Sequence, residues 1–471
     1  DALPIFVLAV TLVALALVAE LANATVLPRL YPAFHLGLAA LTLTLIAFVP
    51  LALRPAGERA APRFTPRRAA LAALLTAVAF GLVAPSARSL ALADNIRVIY
   101  LERAPLLGHV VAAAARLAPP RPTDDVTLVQ AQSGHAVDLT GRDVLLISID
   151  AVRADHVGAY GYPRPTTPNI DALAREGVTF DAAYTPTPHT SYADRFAPFR
   201  DSSLGFEYRK VEFADAGKRA DQVTAYLGRV PLEKKLFLWV HLFEPHEPYE
   251  SHEGHAFGDR DVDRYDSEIA AADDGVGRIV AAVRKVRPGA LVILTADHGE
   301  EFGEHGGRYH GTTVYEEQVR VPLVINAPGL LAPRRVPQPV QLVDLLPTVL
   351  AGLDIPRPAR VRGTDLGPLL VGKPPATGFE DGFAFSETDE QTLLARGTLR
   401  LICARRVGAC ALYDLAKDPA QTRDDGSQGT AGRNALRAEL AKIAASHGTF
   451  EVAGLRAEGK GWPGALRRDR K

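Results

Sequence analysis

Three long apolar stretches without a charged side chain lie near the start of the chain. They are residues 2–19 (ALPIFVLAVTLVALALVA), 36–53 (LGLAALTLTLIAFVPLAL) and 69–87 (AALAALLTAVAFGLVAPSA). Each approaches the roughly 20 residues that a helix needs to cross a bilayer. The pattern predicts three transmembrane helices, because a cleaved signal peptide followed by core helices would explain the first stretch only.

The charges between these stretches indicate how the helices are oriented. Arginine in short loops marks the cytoplasmic side of a membrane, and the second connection carries Glu58 against Arg54, Arg59, Arg63, Arg67 and Arg68. The third helix is then expected to run outward, which places the later chain on the outer face of a bacterial inner membrane, in the periplasm. Residues 95–118 are apolar on balance but carry Arg97, Glu102, Arg103 and His109, which predicts an interfacial helix. A fourth span would instead turn the later chain to the cytoplasm.

Beyond Gly141 the pattern changes to short apolar runs that alternate with helical segments. The unbroken runs predict buried strands of a mostly parallel sheet, and they lie at 143–150, 236–243, 290–297 and 321–327. Helical periodicity with start and stop signals is found over 168–177, 264–285 and 341–353. This part is therefore predicted to be an α/β sandwich, and the runs LRLICARR and ACALYDL near the C-terminus predict a small antiparallel appendage.

These patterns divide the chain into four predicted parts. We expect transmembrane helices over 1–93, an interfacial helix and linker over 94–140, a catalytic domain over 141–395, and an appendage with a tail over 396–471.

Composition and charge narrow the function classes. The chain of 471 residues is 47% hydrophobic and has a formal net charge of -1, so it lacks the basic excess of a nucleic-acid-binding protein.

Cys403 and Cys410 are the two cysteines and flank the short loop ARRVGA. This spacing favours a disulfide over two free thiols in an oxidising compartment. The sequence has no methionine, which suggests that some natural residues are absent from it.

Two predicted strands end in acidic residues, Asp150 and Asp297. Ligands of open α/β sheets bind beyond the carboxyl ends of the strands, so both carboxylates should face one crevice. Either acid alone could be a helix cap. The second acid, however, opens a glycine-rich segment crowded with metal-ligand types, namely Asp297, His298, Glu300, Glu301, Glu304, His305 and His310. Carboxylate and imidazole groups on glycine-rich backbone suit a divalent metal, while the alternative is a solvated charged loop.

Four ordered motifs resemble the sulfatase branch of the alkaline phosphatase superfamily. They are DVLLISIDAVRADHVGAYGY, TTPNIDALAREGVTFDAAYTPTPHTSYA, HLFEPHEPY and TADHGEEFGEHG followed by HGTTVYEEQVRVPLVI. With the apolar segments before them, they are most similar to the membrane-anchored phosphoethanolamine and phosphoglycerol transferases. The resemblance implies an alkaline-phosphatase/sulfatase-like sandwich and an enzyme that transfers a phospholipid head group through a threonine nucleophile.

Site residues follow from this resemblance position by position. It implies metal ligation by Asp150, Asp297 and His298, with Thr190 as nucleophile and further ligand. His246 and His310 match histidines that bind the charged oxygens of the substrate or a second metal. The implied cofactor is a divalent metal, zinc or manganese first, with calcium or magnesium as alternatives. The second Asp that many sulfatases carry after the first is Ala151 here, which leaves one ligand position open.

The residues around Thr190 differ from those of a sulfatase. A sulfatase has Cys or Ser at this position, in a sequence that directs oxidation to formylglycine, whereas this chain reads Thr190-Ser191-Tyr192-Ala193. Threonine cannot form that aldehyde, so direct attack by a metal-activated hydroxyl is predicted, with Ser191 as the alternative nucleophile. The family's usual continuation after Ala193 is replaced by DRFAPFR, and we expect that a loop is absent there.

Three functions remain open on the sequence. The first is a membrane-anchored phosphotransferase that moves a phospho-head group from a phospholipid donor to an acceptor alcohol on a lipid or glycan, through a phospho-threonine intermediate. The second is a metal-dependent phosphodiesterase, or a hydrolase of phosphonate or sulfate esters. The third is a non-catalytic membrane sensor that binds lipid. No pattern in the sequence indicates an oligomeric state.

Overall fold

The computed structural model describes most of the chain beyond residue 136 and the first two helices. The described residues are 2–25, 32–53, scattered positions between 66 and 85, 128–129, 136–188, 206–358, 361–374, 380–425 and 429–458, apart from 209, 211–212, 406, 448 and 453–454. The chain divides into two compact units: the first comprises 1–125, 195–205 and 451–457 and includes the N-terminal helices, and the second comprises 126–194, 206–450 and 458–471 and includes the main sheets.

Two apolar helices form the N-terminal unit. Helix α1 (Ala2–Thr25) packs beside α2 (Pro32–Ala52), and their buried positions include the small residues Ala9, Ala16 and Ala39. Small residues at the contact, with large apolar side chains facing outward, are typical of helix pairs in lipid. Within α1, Phe6–Asn23 is long and apolar enough to cross a bilayer.

The three predicted membrane spans are confirmed only in part. The described apolar stretch of α2, Gly37–Pro50, is shorter than a full span. The third predicted span, 69–87, lies mainly outside the described residues, and the predicted interfacial helix at 95–118 lies wholly outside them. Among the described residues, one candidate span is found, and it is consistent with a membrane anchor, although signal sequences near an N-terminus have the same composition.

Strands of three to six residues form the main sheets of the second unit, with several two-residue strands beside them. In chain order the described strands are β1 (Leu128–Val129), β2 (Val144–Ile149), β3 (Val178–Phe180), β4 (Ala183–Tyr184), β5 (Phe237–Leu242), β6 (Leu291–Ala296), β7 (Arg320–Val321), β8 (Leu323–Asn326), β9 (Arg334–Val336), β10 (Val340–Gln341), β11 (Arg357–Pro358), β12 (Ala384–Glu387), β13 (Gln391–Arg396), β14 (Leu399–Ala404), β15 (Cys410–Asp414), β16 (Thr449–Val452) and β17 (Leu455–Glu458).

Helices flank these strands. They are α3 (Pro168–Arg175), α4 (Ala216–Leu227), α5 (Asp261–Val286), α6 (Glu316–Val319), α7 (Leu345–Gly352), α8 (Gly367–Leu370) and α9 (Gly429–His447).

A six-stranded sheet in the order β5-β2-β6-β8-β3-β9 forms the centre of the second unit. Only β8 runs antiparallel to its neighbours, so the sheet is mostly parallel, as predicted. Its strands are apolar because both faces of β2 and β6 are buried, and Ile147, Ile149 and Leu294 are almost wholly inaccessible. The four predicted strands and three predicted helices are found within a few residues of their expected bounds.

The C-terminal appendage is a four-stranded antiparallel sheet in the order β12-β13-β14-β15. It includes β12 and β13, so the antiparallel part begins at Ala384, before the boundary at 396 that the sequence predicts. Cys403 and Cys410 are paired directly across β14 and β15 and form a disulfide, as expected.

Candidate metal and anion site

Three neighbouring parallel strands end at the same level, and the candidate site lies at that edge. Ile149 of β2 pairs with Leu242 of β5 on one side and with Ala296 of β6 on the other. The next residue after β2 is Asp150, and the next after β6 is Asp297. The register therefore brings both carboxylates to one edge of the sheet, where ligands of such folds bind.

Asp150, Asp297 and His298 form a compact group of ligand atoms. One ligand atom from each lies within 4.8 Å of the other two. The Nε2 atom of His298 is 3.3 Å from Oδ1 of Asp150 and 3.8 Å from Oδ1 of Asp297. Asp150 and His298 are almost completely buried, so the group forms a desolvated pocket rather than a solvated loop.

The environment of His298 favours the neutral ring with its proton on Nδ1. Nδ1 lies 2.9 Å from the carbonyl oxygen of Gly299, which can only accept a hydrogen bond. Burial lowers the pKa of His298 below its usual range, and the neighbouring His310 acts in the same direction. The lone pair on Nε2 then faces the two carboxylates, as a metal-ligating imidazole requires.

Asp297 is stabilised as a carboxylate. Its Oδ1 accepts hydrogen bonds from the backbone amides of Ala151 at 3.2 Å and His298 at 2.9 Å. Burial opposes ionisation, but the imidazoles of His298 and His241 and these amides hold the pKa of Asp297 below its usual range. Ala151 has a positive φ of 54°, the strained backbone that places its amide beside Asp297.

The donor set fits a divalent cation. Two carboxylate oxygens and one imidazole nitrogen are ligands that zinc and manganese accept. The three donors converge within a buried pocket, where two carboxylates so close together need a counter-charge. These residues support a divalent metal in general, while the identity of the metal stays a prediction.

His246 and His310 lie beside this group. The ring of His310 is centred 4.2 Å from that of His298 and 5.7 Å from that of His246. Ligand atoms of His246, Glu247 and His310 also lie within 4.8 Å of one another. The structure therefore brings together five of the six predicted site residues: Asp150, Asp297, His298, His246 and His310.

Thr190, the sixth, lies outside the described residues, as does its alternative Ser191. Their predicted roles as nucleophile and metal ligand stay predictions.

Glu300 and His241, near the site, have side-chain partners that the sequence does not reveal. Glu300 faces His310, with Oε1 3.1 Å from Nδ1. The indole of Trp239 donates to Oγ of Ser148, which lies 2.9 Å from Nδ1 of His241. Glu300 and His241 each lie in a motif rich in metal-ligand types, but a motif does not say which side chains contact each other.

Comparison with known proteins finds sulfatases that are similar to the same segment. The Sulfatase family model matches residues 142–197 and 194–355. An uncharacterised sulfatase of Escherichia coli K12, YidJ, is 38% identical over 103 residues, 22% of this chain and 20% of that protein. Rat steryl-sulfatase is 34% identical over 125 residues, 23% of this chain and 22% of that protein. The aligned part spans about a fifth of the length of these curated relatives.

Solved structures show the same fold. The putative sulfatase yidJ from Bacteroides fragilis has a TM-score of 0.54 at 17% identity, covering 67% of this chain and 97% of that chain. The phosphonate monoester hydrolase of Agrobacterium radiobacter has a TM-score of 0.50 at 18% identity, covering 66% of this chain and 98% of that chain. The chain thus has a sulfatase-like α/β fold, and its residues 142–355 are similar to the Sulfatase family model.

Proposed function

We propose that this chain, which is similar to the Sulfatase family model over residues 142–355, is a metal-dependent hydrolase of phosphate or sulfate esters. The observation that carries the proposal is the convergence of Asp150, Asp297 and His298 at one edge of the sheet, with His246 and His310 beside them. The comparisons support this hydrolase better than the phosphotransferase that ranked first on the sequence.

The ester is cleaved in two steps in this proposal. Oγ1 of Thr190 forms a bond to phosphorus or sulfur, the bond to the leaving oxygen breaks, and the leaving oxygen takes a proton. Water then attacks the same atom, the bond to Oγ1 breaks, and Thr190 recovers its proton. A divalent cation held by Asp150, Asp297 and His298 supplies the positive charge that lowers the pKa of a nearby hydroxyl and offsets negative charge on the ester oxygens. His246 and His310 supply hydrogen-bond donors to those oxygens.

Thr190 makes phosphate or phosphonate esters the better substrates. A threonine cannot carry the aldehyde hydrate that sulfatases use, so the leaving group must be displaced by a simple alkoxide. We therefore expect phosphate or phosphonate monoesters and diesters to react faster than sulfate esters.

Head-group transfer from a phospholipid is the second candidate. Two observations favour it: the apolar window Phe6–Asn23 can hold the enzyme at a lipid surface, and the Thr190 position has a hydroxyl that can carry a phosphoryl group. The acceptor would be an alcohol on a lipid or glycan. The disulfide between Cys403 and Cys410 supports an oxidising location such as the periplasmic face of the inner membrane.

A panel of chromogenic esters tests the proposed reaction. The detergent-purified chain, loaded with Mn²⁺ or Zn²⁺, is assayed with 4-nitrophenyl phosphate, bis(4-nitrophenyl) phosphate, 4-nitrophenyl phenylphosphonate and 4-nitrophenyl sulfate, beside Thr190→Ala. We expect metal-dependent release of 4-nitrophenol from a phosphorus ester that the variant loses. Turnover of the sulfate ester alone would contradict the preference argued from Thr190, and no turnover of any ester would contradict the hydrolase.

A second experiment distinguishes transfer from hydrolysis by following where the phospho-head group goes. Mixed phospholipid vesicles with a soluble alcohol replace the chromogenic ester, and products are identified by mass spectrometry. Hydrolysis releases the free phospho-head group, whereas transfer yields the head group on the alcohol. A head-group adduct on the wild-type chain that Thr190→Ala lacks would identify the threonine as the carrier in either reaction.

A further inference from the structure

The turn that follows β2 has a strained backbone beside a candidate metal ligand. Ala151 comes directly after Asp150, is completely buried and has a φ of 54°. This left-handed conformation is unfavourable for a residue with a Cβ atom. It persists only where surrounding contacts hold the backbone in place.

Tyr265 of α5 makes such contacts. Its hydroxyl donates to the carbonyl oxygen of Ala151 at 2.6 Å and accepts from the backbone amide of Arg153 at 3.0 Å. Both hydrogen bonds are buried, and a buried backbone group without a partner is unfavourable. One hydroxyl thus satisfies two backbone groups of the turn and favours the conformation in which both face α5.

The Tyr265 ring is itself fixed in place. It is completely buried, and its centre lies 5.0 Å from the ring centre of Phe302, 5.2 Å from that of His156 and 5.7 Å from that of Tyr249. Three rings packed around it prevent it from tilting. Rotation of the ring about its own axis leaves the hydroxyl oxygen where it is, because that oxygen lies on the axis.

The same turn contacts the loop that follows β6. The backbone amide of Ala151 donates to Oδ1 of Asp297 at 3.2 Å. The Arg153 guanidinium donates through Nη1 to the carbonyl oxygen of Glu300 at 3.1 Å. Both residues whose backbone Tyr265 holds therefore contact the second ligand-bearing loop, and the turn connects the ends of β2 and β6.

We propose that Tyr265 is a positioning residue of the metal site, which sets the placement of Asp150 and Asp297 by holding the turn between them. The inference rests on the metal dependence of the proposed function. Tyr265 acts through Ala151: without the hydroxyl, the turn relaxes from its left-handed conformation and the Ala151 amide moves away from Asp297. Groups that orient metal ligands in this way typically change metal affinity about 10- to 100-fold when they are removed.

A purely structural role for the hydroxyl predicts a different result, and Tyr160 provides the matched control. The Tyr160 hydroxyl also joins two backbone groups, since it accepts from the amide of Leu323 at 2.9 Å and donates to the carbonyl of Phe180 at 3.0 Å. Strands β3 and β8, which it joins, carry none of the candidate ligands. If both hydroxyls only stabilise the fold, removing either one leaves metal affinity unchanged.

The experiment measures Mn²⁺ binding by calorimetric titration of the detergent-purified wild-type chain, Tyr265→Phe and Tyr160→Phe. Thermal unfolding of each metal-free protein shows whether it folds. We expect Tyr265→Phe to bind Mn²⁺ about tenfold more weakly than wild type, and Tyr160→Phe to change the affinity less than about twofold. Both variants should unfold at a lower temperature than wild type, because each loses hydrogen bonds to the backbone.

A glycine at the strained position tests whether Tyr265 acts through that turn. Glycine adopts a positive φ without strain, so the turn depends less on the hydroxyl once Ala151 is replaced. We expect Ala151→Gly, added to Tyr265→Phe, to recover at least about threefold of the lost Mn²⁺ affinity. If Tyr265→Phe alone does not fold, the double variant should fold, and a double variant that stays unfolded would overturn the proposal.

Three results with folded proteins would overturn the positioning role and leave the metal site standing. The first is Mn²⁺ binding by Tyr265→Phe as tight as that of wild type. The second is an equal weakening by Tyr160→Phe, and the third is no recovery with Ala151→Gly. A wild-type chain that binds no Mn²⁺ would instead overturn the metal dependence of the proposed function, and this inference with it.

Discussion

Desolvation controls the chemistry of the candidate site at the scale of single residues. Asp150 and His298 are buried beside each other, and Asp297 is kept ionised by neighbouring imidazoles and backbone amides. The three groups are therefore ready to act as ligands before a cation arrives.

The lowered pKa of His298 predicts the pH dependence of metal binding. A ligating imidazole must be neutral, and burial keeps His298 neutral at a more acidic pH than an exposed histidine. We expect the affinity for Mn²⁺, measured by calorimetric titration, to stay constant from pH 7.5 down to about 6.5 and to fall only below that.

An exposed imidazole provides the control for this titration. His255→Gln removes a partly exposed histidine that faces Asp274 and should leave the pH curve unchanged. A decrease of about tenfold per pH unit across the whole range would show that the ligand titrates like an exposed histidine and would contradict the account.

Residue types and motif order were enough to predict five site residues that the structure brings together. Their pairwise partners could not be predicted. Glu300 and Glu301 are adjacent and chemically identical in sequence, yet one faces His310, while the other accepts backbone amides of the loop at His305 and Gly307. Only the folded loop distinguishes them.

At the scale of elements, the ends of β2 and β6 position the site. The unbroken apolar runs predicted β2, β6 and β8, because strands buried on both faces have no polar alternation. They also predicted β5, although Phe237 and Trp239 of this edge strand are about half exposed. Whether β8 runs parallel or antiparallel to its neighbours could not be predicted, because an apolar run of this composition fits a buried strand in either orientation. The short strands β4, β7 and β10 were also missed, because two residues carry no periodicity.

Asp273 of α5 caps the start of α3, and this contact yields a stability prediction. Its carboxylate accepts from the backbone amides of Asn169 and Ile170, each at 2.8 Å. Asp273→Ala would leave a buried amide, that of Ile170, and a partly buried one, that of Asn169, without their acceptor at a helix N-terminus. We expect a loss of about 2–4 kcal/mol in the free energy of unfolding, measured as a shift in the urea midpoint of the catalytic unit.

The neighbouring acid is a matched control for this variant. Asp274 lies on the same helix but is exposed and pairs with His255 at the surface. Asp274→Ala should change the free energy of unfolding by less than about 0.5 kcal/mol. Equal effects of the two variants would show that the capping contact contributes nothing specific.

At the scale of the whole molecule, the chain combines a part with a sulfatase-like fold and an apolar N-terminal pair of helices. The compositional contrast between the two parts was evident from the sequence, since no charged residue interrupts 2–19. The number of membrane spans stays a prediction beyond the window Phe6–Asn23. A membrane anchor predicts that the chain stays with membranes during extraction, whereas a soluble hydrolase would not.

An arginine substituted into the window Phe6–Asn23 tests whether α1 spans a membrane. Leu15 is near its middle and about half exposed, so Leu15→Arg places a charge at a cost of about 2.5–3.5 kcal/mol for insertion. We expect the wild-type chain and Leu15→Ala to stay with membranes after alkaline carbonate extraction, and a larger fraction of Leu15→Arg to be released. Release of all three chains in equal amounts would contradict a membrane-spanning α1.

The central claim is that Asp150, Asp297 and His298 hold the cation on which ester hydrolysis depends. Its most direct test is the initial rate of hydrolysis as a function of added Mn²⁺, for the wild-type chain and Asp150→Asn. We predict a saturable increase for wild type, and for the variant a rate at least about 100-fold lower that excess metal does not restore. A variant as fast as wild type at the same metal concentration would contradict the claim that this carboxylate holds the metal.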